Sequence, residues 1–427
     1  MPAPLSWIYD AMLHFRLTPF IRIQIFNIAF YHHQSYQVLV LSRSSPISLL
    51  ANHPTHTYLR KMPEILRVGI IGLGEIAQVS HITVLNNLSD HFTITYLCDP
   101  SEAALEHCSK KVAGNTPKTT TDAAQLCSSS DVDVVLITSA HGFHASQAIL
   151  ALHNDKYTLV EKPLCLCFRD IEQLEEAEKG SAGKIFVGYQ RRYAQAFVDA
   201  VKEVGGLGKI QYARVRDIIG HNSYFVDQSA TFPRKFSDYK QADSKAMSAV
   251  LDEQIIHALG TEYGMDVTPA IKEFFGFFSI LATHDLSAMR EILGGMPQKV
   301  LGSSLSLPFW TVLFQFDGFA VTYESGVHGV PTFDAHLEVY SEDKIVRVNY
   351  DSGYIKGLPV TMTIRERVGE SGYQERTVRK TYEDPYTLEF LDFHDCVVNG
   401  KTPKTSVQDA KKDLDLFKMI IQSSNSL

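Results

Sequence analysis

The sequence has little basic charge and lacks the cysteine spacings typical of metal or disulfide frameworks. Its 427 residues contain 40 Lys and Arg against 48 Asp and Glu, a formal net charge of −8. Proteins that bind nucleic acid by neutralising phosphates usually carry a basic excess, so this composition disfavours nucleic acid as a partner. The 6 cysteines include no Cys-x-x-Cys pair and no Cys/His ligand spacing. We therefore expect no metal site, and we expect reduced thiols, which fit a cytoplasmic protein.

The sequence also lacks an uninterrupted apolar run that could cross a membrane. The apolar stretch 17–41 is broken by charged and polar side chains, so we predict no membrane helix. Residues 1–61 contain one acidic residue, Asp10. We predict that they form an extension that is disordered or an artefact of the assigned start, with Met62 as the alternative initiator. A mitochondrial transit peptide is the alternative, because such presequences bear Arg and few acids.

A glycine-rich motif follows the first β-branched run. Residues 67–71 predict a strand, and Gly72, Gly74 and Ala77 then form a G-x-G-x-x-A pattern before a helix. The first glycine permits a tight turn, the second lets the backbone approach a pyrophosphate, and the small third residue lets helix and strand pack closely. The residues predicted to bind a dinucleotide here are Gly72, Gly74, Glu75, Ile76 and Ala77.

Asp99 ends the next predicted strand, 93–98. An acidic side chain there can accept hydrogen bonds from the adenosine ribose hydroxyls. It would also repel a 2′-phosphate, and the following Pro100 and Ser101 supply no compensating arginine. We therefore predict NAD as the preferred cofactor and NADP as the alternative. The structural alternative for Asp99 is a turn residue before Pro100.

Strands and helices continue to alternate up to residue 160, which favours a doubly wound parallel sheet with its ligands at the carboxyl ends of the strands. The predicted helices cover 103–112, 122–128 and 144–153, and the further strands cover 132–138 and 157–160. After residue 310, period-two segments predict at least six antiparallel strands, with 210–219 as a seventh.

The predicted fold class is therefore an α/β N-terminal Rossmann domain plus an α+β C-terminal domain with a large open, mainly antiparallel sheet. We place the extension at 1–61, the dinucleotide-binding domain at 62–185, and the substrate and oligomerisation domain at 186–427.

Six segments follow one another in order from Val68 to the end of the chain. They read VGIIGLGEIA at 68–77, ITSAHGFHA at 137–145, VEKPL at 160–164, GYQRRYA at 188–194, HDLSAMREILGG at 284–295 and NGKTPKTSVQDAKKDLDLF at 399–417. Together they resemble the glucose–fructose oxidoreductase/inositol dehydrogenase (Gfo/Idh/MocA) family. The resemblance implies an NAD(P)-dependent dehydrogenase or reductase acting on a CH–OH group of a sugar, cyclitol or similar small polyol.

Two other functions share this fold. One is an enzyme that uses bound NAD transiently, as the NAD-dependent glycosidases of the family do. The other is a dinucleotide-sensing regulator without catalysis. The chain has the Glu161-Lys162-Pro163 sequence of the family, which favours an enzyme over a sensor.

The resemblance also assigns roles to single residues. Lys162 matches the lysine that lies beside the nicotinamide and the reacting substrate oxygen, where an ammonium can donate to a developing alkoxide and exchange its proton. The expected cofactor contacts near the nicotinamide and the cleft are Thr138, Ser139, His144, Glu161, Lys162 and Arg191. Of the pair Arg191 and Arg192, we expect one to be a surface or helix-stabilising charge.

His284 matches the catalytic or substrate-positioning histidine of the family. Its structural alternative is the start of a helix, since an apolar stripe follows it. Many members carry an aspartate four residues earlier, where this chain has Ile280. That carboxylate would orient the imidazole and raise its basicity, so we expect His284 to contribute less than Lys162. The segment 222–280 matches the family least, and we expect short helices and loops there. Its candidate pocket residues are His221, Asn222, Tyr224, Arg234, Asp252 and Glu253.

The late strands also carry a prediction about assembly. Val312, Phe314 and Phe316 alternate on one face and Leu313 lies on the other, while the partner strand 319–323 is apolar too. A sheet packed from one side alone should be polar on its free side. We therefore predict that a second subunit covers that side, giving a homodimer or homotetramer.

Overall fold

The computed structural model describes residues 65–424, and its first strands form a parallel sheet, called sheet A here. The strands are β1 (Leu66–Ile71), β2 (Phe92–Cys98), β3 (Lys118–Thr120), β4 (Val134–Ile137), β5 (Tyr157–Glu161) and β6 (Ile185–Gly188). Their order is β3-β2-β1-β4-β5-β6, and all neighbours pair in parallel. The strand order reverses between β1 and β4, which is where doubly wound sheets bind ligands.

Short helices connect these strands. They are α1 (Ile82–Asn87), α2 (Glu102–Ser109), α3 (Ala123–Cys127), α4 (His144–Leu152) and α5 (Phe168–Lys179). Ser101 caps α2 by accepting a hydrogen bond from the Ala104 amide, which explains why this helix begins directly after Asp99. The predicted Rossmann architecture is confirmed by this parallel sheet and its crossover helices.

The second sheet, sheet B, has eight strands. They are β7 (Tyr212–Gly220), β8 (Lys299–Leu305), β9 (Phe309–Gln315), β10 (Ala320–His328), β11 (Phe333–Tyr340), β12 (Lys344–Tyr350), β13 (Thr361–Val368) and β14 (Gly372–Val378). Their order is β14-β13-β12-β11-β7-β10-β9-β8. All neighbours are antiparallel except β7 and β10, so the sheet is mainly antiparallel, as predicted. The turn before β10 contains Gly318 at a φ of 80°, a conformation that favours glycine.

Sheet B has two unlike faces. On the inner face, Val312, Phe314, Val321 and Tyr323 are fully buried. Phe314 pairs with Val321, and Val312 pairs with Tyr323, so the apolar side chains meet across the hairpin. Leu313 points to the outer face and is 37% exposed.

Six further helices belong to the described residues; some of them pack on sheet B and others on sheet A or on neighbouring helices. They are α6 (Gln195–Gly205), α7 (Ser223–Val226), α8 (Gln241–Ile256), α9 (Pro269–Ile292), α10 (Pro385–Asn399) and α11 (Val407–Gln422). The boundary predicted between residues 185 and 186 stays a prediction, since residues 65–424 pack as one compact unit.

The segment 222–280 is more helical than we expected. The helix α8 has 16 residues and α9 has 24. Residues with high helix propensity, such as Ala, Lys, Gln and Leu, fill α8. Thr268 caps α9 and Pro269 occupies its first turn, a favourable helix start. His284 therefore lies within a helix that began fifteen positions earlier, and the interpretation of His284 as a helix start was wrong.

The predictions on residues 1–61, including the transit-peptide alternative, lie outside the described residues. Within residues 65–424, none of the helices combines the length and the apolar character that crossing a membrane requires.

Candidate active site at the carboxyl edge of the parallel sheet

The glycine motif forms one wall of a pocket at the end of β1. Gly72 has a φ of 92°, and a Cβ on it would lie 2.5 Å from backbone atoms of Ser139. A Cβ on Gly74 would meet no atom within 4 Å, so the backbone there faces open space. Ala77 is fully buried, which allows close packing of the following turn against β1. This arrangement fits the approach of a dinucleotide pyrophosphate to the backbone.

Asp99 lies in the same pocket, at the end of β2. One carboxylate oxygen accepts from the Leu73 amide at 2.8 Å, and the other accepts from the Ser101 amide at 2.9 Å. Burial raises the pKa of Asp99 above its usual value, although these two amides oppose the shift. Each oxygen keeps a lone pair, so Asp99 can still accept from ribose hydroxyls.

The pocket has a volume of about 390 Å³. Its lining includes Gly72, Gly74, Asp99, Thr138, Ser139, Gln147, Tyr239, Asp243 and Met247. The glycines, Asp99, Thr138 and Ser139 were predicted from the sequence. The residues from the start of α8 and the loop before it were not, because no sequence signal connects them to the glycine motif.

The loop after β4 is held in place by its own side chains. The Thr138 hydroxyl donates to the Gly72 carbonyl at 2.6 Å, and Ser139 donates to Gln147 at 2.6 Å. The His144 ring is buried between two carbonyl oxygens, with Nδ1 2.8 Å from Pro163 and Nε2 2.9 Å from Ser139. His144 thus ties the loop after β4 to the loop after β5, while Thr138 and Ser139 line the pocket.

Lys162 follows β5 directly. Its Nζ donates to the backbone carbonyl of Ile280 on α9 at 3.0 Å. Burial lowers the pKa of Lys162, although the carboxylates of Glu161, Asp217 and Asp285 oppose the shift. The backbone of Ile280 thus positions the lysine.

The Glu161 carboxylate contacts both the Lys162 backbone and the turn before α1, and its Oε2 accepts from the Lys162 amide at 3.2 Å. Its Oε1 lies 2.7 Å from Nε2 of His81, which is fully buried. Burial opposes ionisation of Glu161, but the neighbouring His81 and Lys162 hold its pKa below the usual value. The sequence did not reveal His81, because it lies 80 residues away in the turn that precedes α1.

Arg191 and Arg192 have separate roles. Arg191 bonds Asp285 at 2.6 Å and Asp217 at 3.2 Å, and all three side chains are buried. Burial and the Asp217 carboxylate raise the pKa of Asp285 well above its usual value. Arg192 instead pairs with Asp409 of α11 and with Glu291 of α9, and it is buried rather than at the surface. The acidic partners Asp217 and Asp285 were missed, since only β7 and α9 together bring them to Arg191.

His284 lies close to Lys162 and Arg191. Burial and the positive charges of Lys162 and Arg191 lower its pKa well below the usual value. Its Nδ1 is buried and has no hydrogen-bond partner. A second imidazole, His141, also lies near Lys162, and burial together with His144 and Lys162 lowers its pKa to about 4. Both rings are therefore neutral near pH 7, so they can exchange hydrogen bonds with a substrate but do not supply a positive charge.

Of the six pocket candidates, two contact residues 75–78 in and just after the glycine motif, while the His221 ring packs against Tyr224. Asn222 donates to the Glu75 carboxylate at 2.8 Å, and the Arg234 backbone bonds the Gln78 amide group. The other contacts lead elsewhere: Glu253 pairs with Arg169, Asp252 with Lys272, and Tyr224 with the Gly329 carbonyl. Ile76 is partly buried against the apolar core on that side of sheet A.

Comparisons with known proteins agree with this geometry. Residues 66–189 match a family described as "Oxidoreductase family, NAD-binding Rossmann fold". The inositol 2-dehydrogenase of Salmonella typhimurium is 25% identical over 342 residues, covering 79% of this chain and 88% of that protein. The NAD(+)-dependent scyllo-inositol 2-dehydrogenase of Bacillus subtilis is 24% identical, covering 83% of this chain and 93% of that protein.

Solved structures share the fold. The myo-inositol 2-dehydrogenase of Lactobacillus plantarum aligns with a TM-score of 0.60 at 21% identity, covering 85% of this chain and 98% of that one. A 3-ketoreductase of Actinomadura kijaniata, solved with NADP, aligns with a TM-score of 0.62 at 15% identity, covering 84% of this chain and 98% of that one.

Proposed function

We propose that the chain belongs to the Gfo/Idh/MocA oxidoreductase family and that it transfers hydride between a nicotinamide dinucleotide and a secondary alcohol or ketone of a cyclitol, sugar or similar polyol. The family binds NAD through its Rossmann fold. When bound, the nicotinamide ring would accept or supply the hydride. The protein's part is to bind the dinucleotide, orient the substrate and handle the hydroxyl proton.

The observation that carries this proposal is the position of Lys162. It follows β5, its Nζ donates to the Ile280 carbonyl, and burial lowers its pKa. A lysine with a lowered pKa can accept the hydroxyl proton during oxidation and return it during reduction. As an ammonium it also stabilises negative charge that develops on the substrate oxygen.

The neighbouring charges set the state of this lysine. Asp217 and Asp285 favour its protonated form, whereas Arg191 and burial favour the neutral form. Because Arg191 bridges both carboxylates, the three residues act as one unit beside Lys162. We assign Arg191, Asp217 and Asp285 a positioning role, and we assign His284 a hydrogen bond to the substrate.

The dinucleotide would lie along the pocket at the carboxyl edge of sheet A. Gly72, Gly74 and the turn with Glu75 and Ile76 would receive the pyrophosphate. Asp99 would accept from the adenosine ribose, which favours NAD over NADP. The names of the relatives support a cyclitol as substrate, since several are inositol dehydrogenases.

A substrate screen tests the proposal. The purified protein is incubated with NAD or NADP and a panel of inositols, sugars and small alcohols, and reduced nicotinamide is followed by its near-ultraviolet absorbance. We expect turnover with at least one cyclitol or sugar, and none with the Lys162→Ala variant. Absence of turnover across the panel in both directions, despite dinucleotide binding, would contradict the dehydrogenase assignment and favour a dinucleotide sensor.

We also propose that a second copy of the chain covers the outer face of sheet B, giving a homodimer or a homotetramer. Exposed apolar side chains at one edge of that face support this, namely Leu301, Phe309 and Leu313. Contiguous exposed apolar groups commonly mark protein–protein contacts.

A further inference from the structure

Residues 231–247, called the strap here, cross from the end of α7 to the wall of the dinucleotide pocket. Lys111 donates to the Thr231 carbonyl at 2.7 Å. The Gln78 side chain donates to the Arg234 carbonyl at 2.9 Å and accepts from the Arg234 amide at 2.9 Å. The strap is thus fastened to the turn after the glycine motif and to the end of α2.

Asp238 of the strap lies at the N-terminus of α2. Its Oδ2 accepts from the Ala103 amide at 3.1 Å, and its Oδ1 accepts from the Ser101 hydroxyl. The amides at a helix N-terminus, together with the helix dipole, favour an anion. In this chain the anion at the start of α2 is a carboxylate of the protein itself.

The donors at this helix start are already used. The Ser101 amide donates to Asp99, and the Ala104 amide donates to the Ser101 hydroxyl. The Ser101 hydroxyl and the Ala103 amide donate to Asp238. Asp99 would accept a hydrogen bond from the ribose 2′-hydroxyl of the dinucleotide. A phosphate on that 2′-oxygen would therefore lie beside the start of α2. It would find these four donors occupied by oxygen atoms of the chain.

The charge of the pocket also disfavours a 2′-phosphate. Asp99 and Asp243 line it, and Asp238 directly precedes the lining residue Tyr239 in the chain. Among the described residues that line the pocket, none is Lys or Arg. NADP-binding sites of this fold normally place an arginine near the 2′-phosphate. Here two lining carboxylates and the strap carboxylate would repel it.

We propose that Asp238 is a cofactor-selecting residue, which occupies the anion position at the start of α2 and restricts the pocket to the dinucleotide without a 2′-phosphate. This inference rests on the proposed function, because it requires that the pocket binds a nicotinamide dinucleotide. It adds a second determinant to Asp99, from a segment more than a hundred residues away in sequence.

Binding titrations with NADH and NADPH test the inference without any substrate. The full-length protein is compared with Asp238→Ala, which removes the anion, and with Asp238→Asn, which keeps an amide oxygen to accept from Ala103. Asp227→Ala is the matched control, since Asp227 is an exposed carboxylate shortly before the strap. Isothermal calorimetry gives the dissociation constants, and thermal denaturation confirms that each variant is folded.

We expect the unmodified protein to bind NADH at least about ten-fold more tightly than NADPH, since ten-fold is about 1.4 kcal/mol of discrimination. Both Asp238 variants should bind NADPH about ten-fold more tightly than the unmodified protein, because one repelling charge of the pocket is gone. Their NADH affinity should change by less than about three-fold, and Asp227→Ala should leave both affinities unchanged.

Two results would overturn the inference while leaving the proposed function intact. One is unchanged NADPH affinity in both folded Asp238 variants that still bind NADH. The other is a protein that prefers NADPH from the start. If the unmodified protein bound neither dinucleotide, the proposed function would fail as well, so the two failures are distinguishable.

Discussion

The two faces of sheet B carry the same kind of charge pairs in opposite surroundings. On the inner face, Asp217 of β7 shares Arg191 with Asp285, and the three residues are 0%, 5% and 4% exposed. On the outer face, the adjacent Arg216 of β7 pairs with Glu324 and with Asp334 of β11, and these side chains are partly exposed. Successive residues of one strand thus belong to two different networks, because side chains alternate across a strand.

The difference shows how burial decides what an ion pair does. A buried pair pays a large desolvation penalty, so it is weak evidence for stability, yet removal of one partner is strongly destabilising. An exposed pair is screened and contributes little. The inner network adjoins Lys162 and His284, whereas the outer network lies on the face that we propose is covered by another subunit. We infer that the network of Arg191, Asp217 and Asp285 serves the candidate active site rather than stability.

The largest expected effect is on turnover, at the residue that the inner network faces. Lys162→Ala should lower kcat by about 10²–10⁴-fold, the usual contribution of a proton-transfer group. The dissociation constant for NADH should change by less than about three-fold, because Lys162 acts mainly as the transition state develops. Steady-state kinetics and calorimetry measure the two quantities, with the exposed Lys179→Ala as the control.

A Lys162→Ala variant that kept more than about a tenth of the activity would contradict this role. His284→Ala should lower kcat less than Lys162→Ala does, since the His284 imidazole is neutral and has no carboxylate partner on the preceding turn. The opposite ranking would make the histidine the main proton-transfer group.

The next effect is on stability, and it compares the two faces directly. Arg191→Ala removes the guanidinium that bonds two buried carboxylates and should lower the free energy of unfolding by about 3–5 kcal/mol. Arg216→Ala, the matched change on the outer face, should cost about 0.2–1 kcal/mol. Urea denaturation near neutral pH measures both. Similar losses for the two variants would show that the faces do not differ as proposed.

A smaller effect concerns pH. The pKa of His141 is lowered to about 4 by burial and by His144 and Lys162. Between that value and its ordinary pKa the unfolded chain binds more protons, so this group's contribution to stability is present above the ordinary pKa and is lost as the pH falls. His141→Gln should therefore weaken the acid sensitivity of the melting temperature, whereas the exposed His153→Gln should not. Identical pH profiles for the original protein and His141→Gln would refute this.

The last effect is on assembly and leaves each subunit folded. Light scattering should give the mass of a dimer or tetramer for the original protein. Phe309→Glu combined with Leu313→Glu places charges on the outer face and should shift the mass towards that of the 47.8 kDa chain. Tyr382→Glu, an exposed aromatic outside sheet B, serves as the control. A monomer mass for the unmodified protein would defeat the proposal.

Much of sheet A was predictable, because local signals define it. Apolar runs of four to seven residues mark β1, β2, β4 and β5, and glycines mark the turn after β1. The short edge strand β3 was missed, since its KTT sequence is exposed and has no apolar pattern. The edge strand β8 was missed for a similar reason, because its glycine and serines break the alternation.

The sequence by itself determined where the candidate site residues lie along the chain. Gly72, Asp99 and Lys162 each end a strand of a parallel sheet, and the carboxyl ends of such strands meet at one edge. Their convergence therefore follows from strand order alone.

Only the tertiary structure decided which groups those residues meet. The Ile280 carbonyl that holds Lys162 lies 118 residues away, and Asp238 reaches Ser101 across 137 residues. Arg191 became part of the buried network because β7 and α9 pack against its turn. Such contacts depend on long-range packing and on the desolvation that accompanies it, and neither leaves a periodic trace in the sequence.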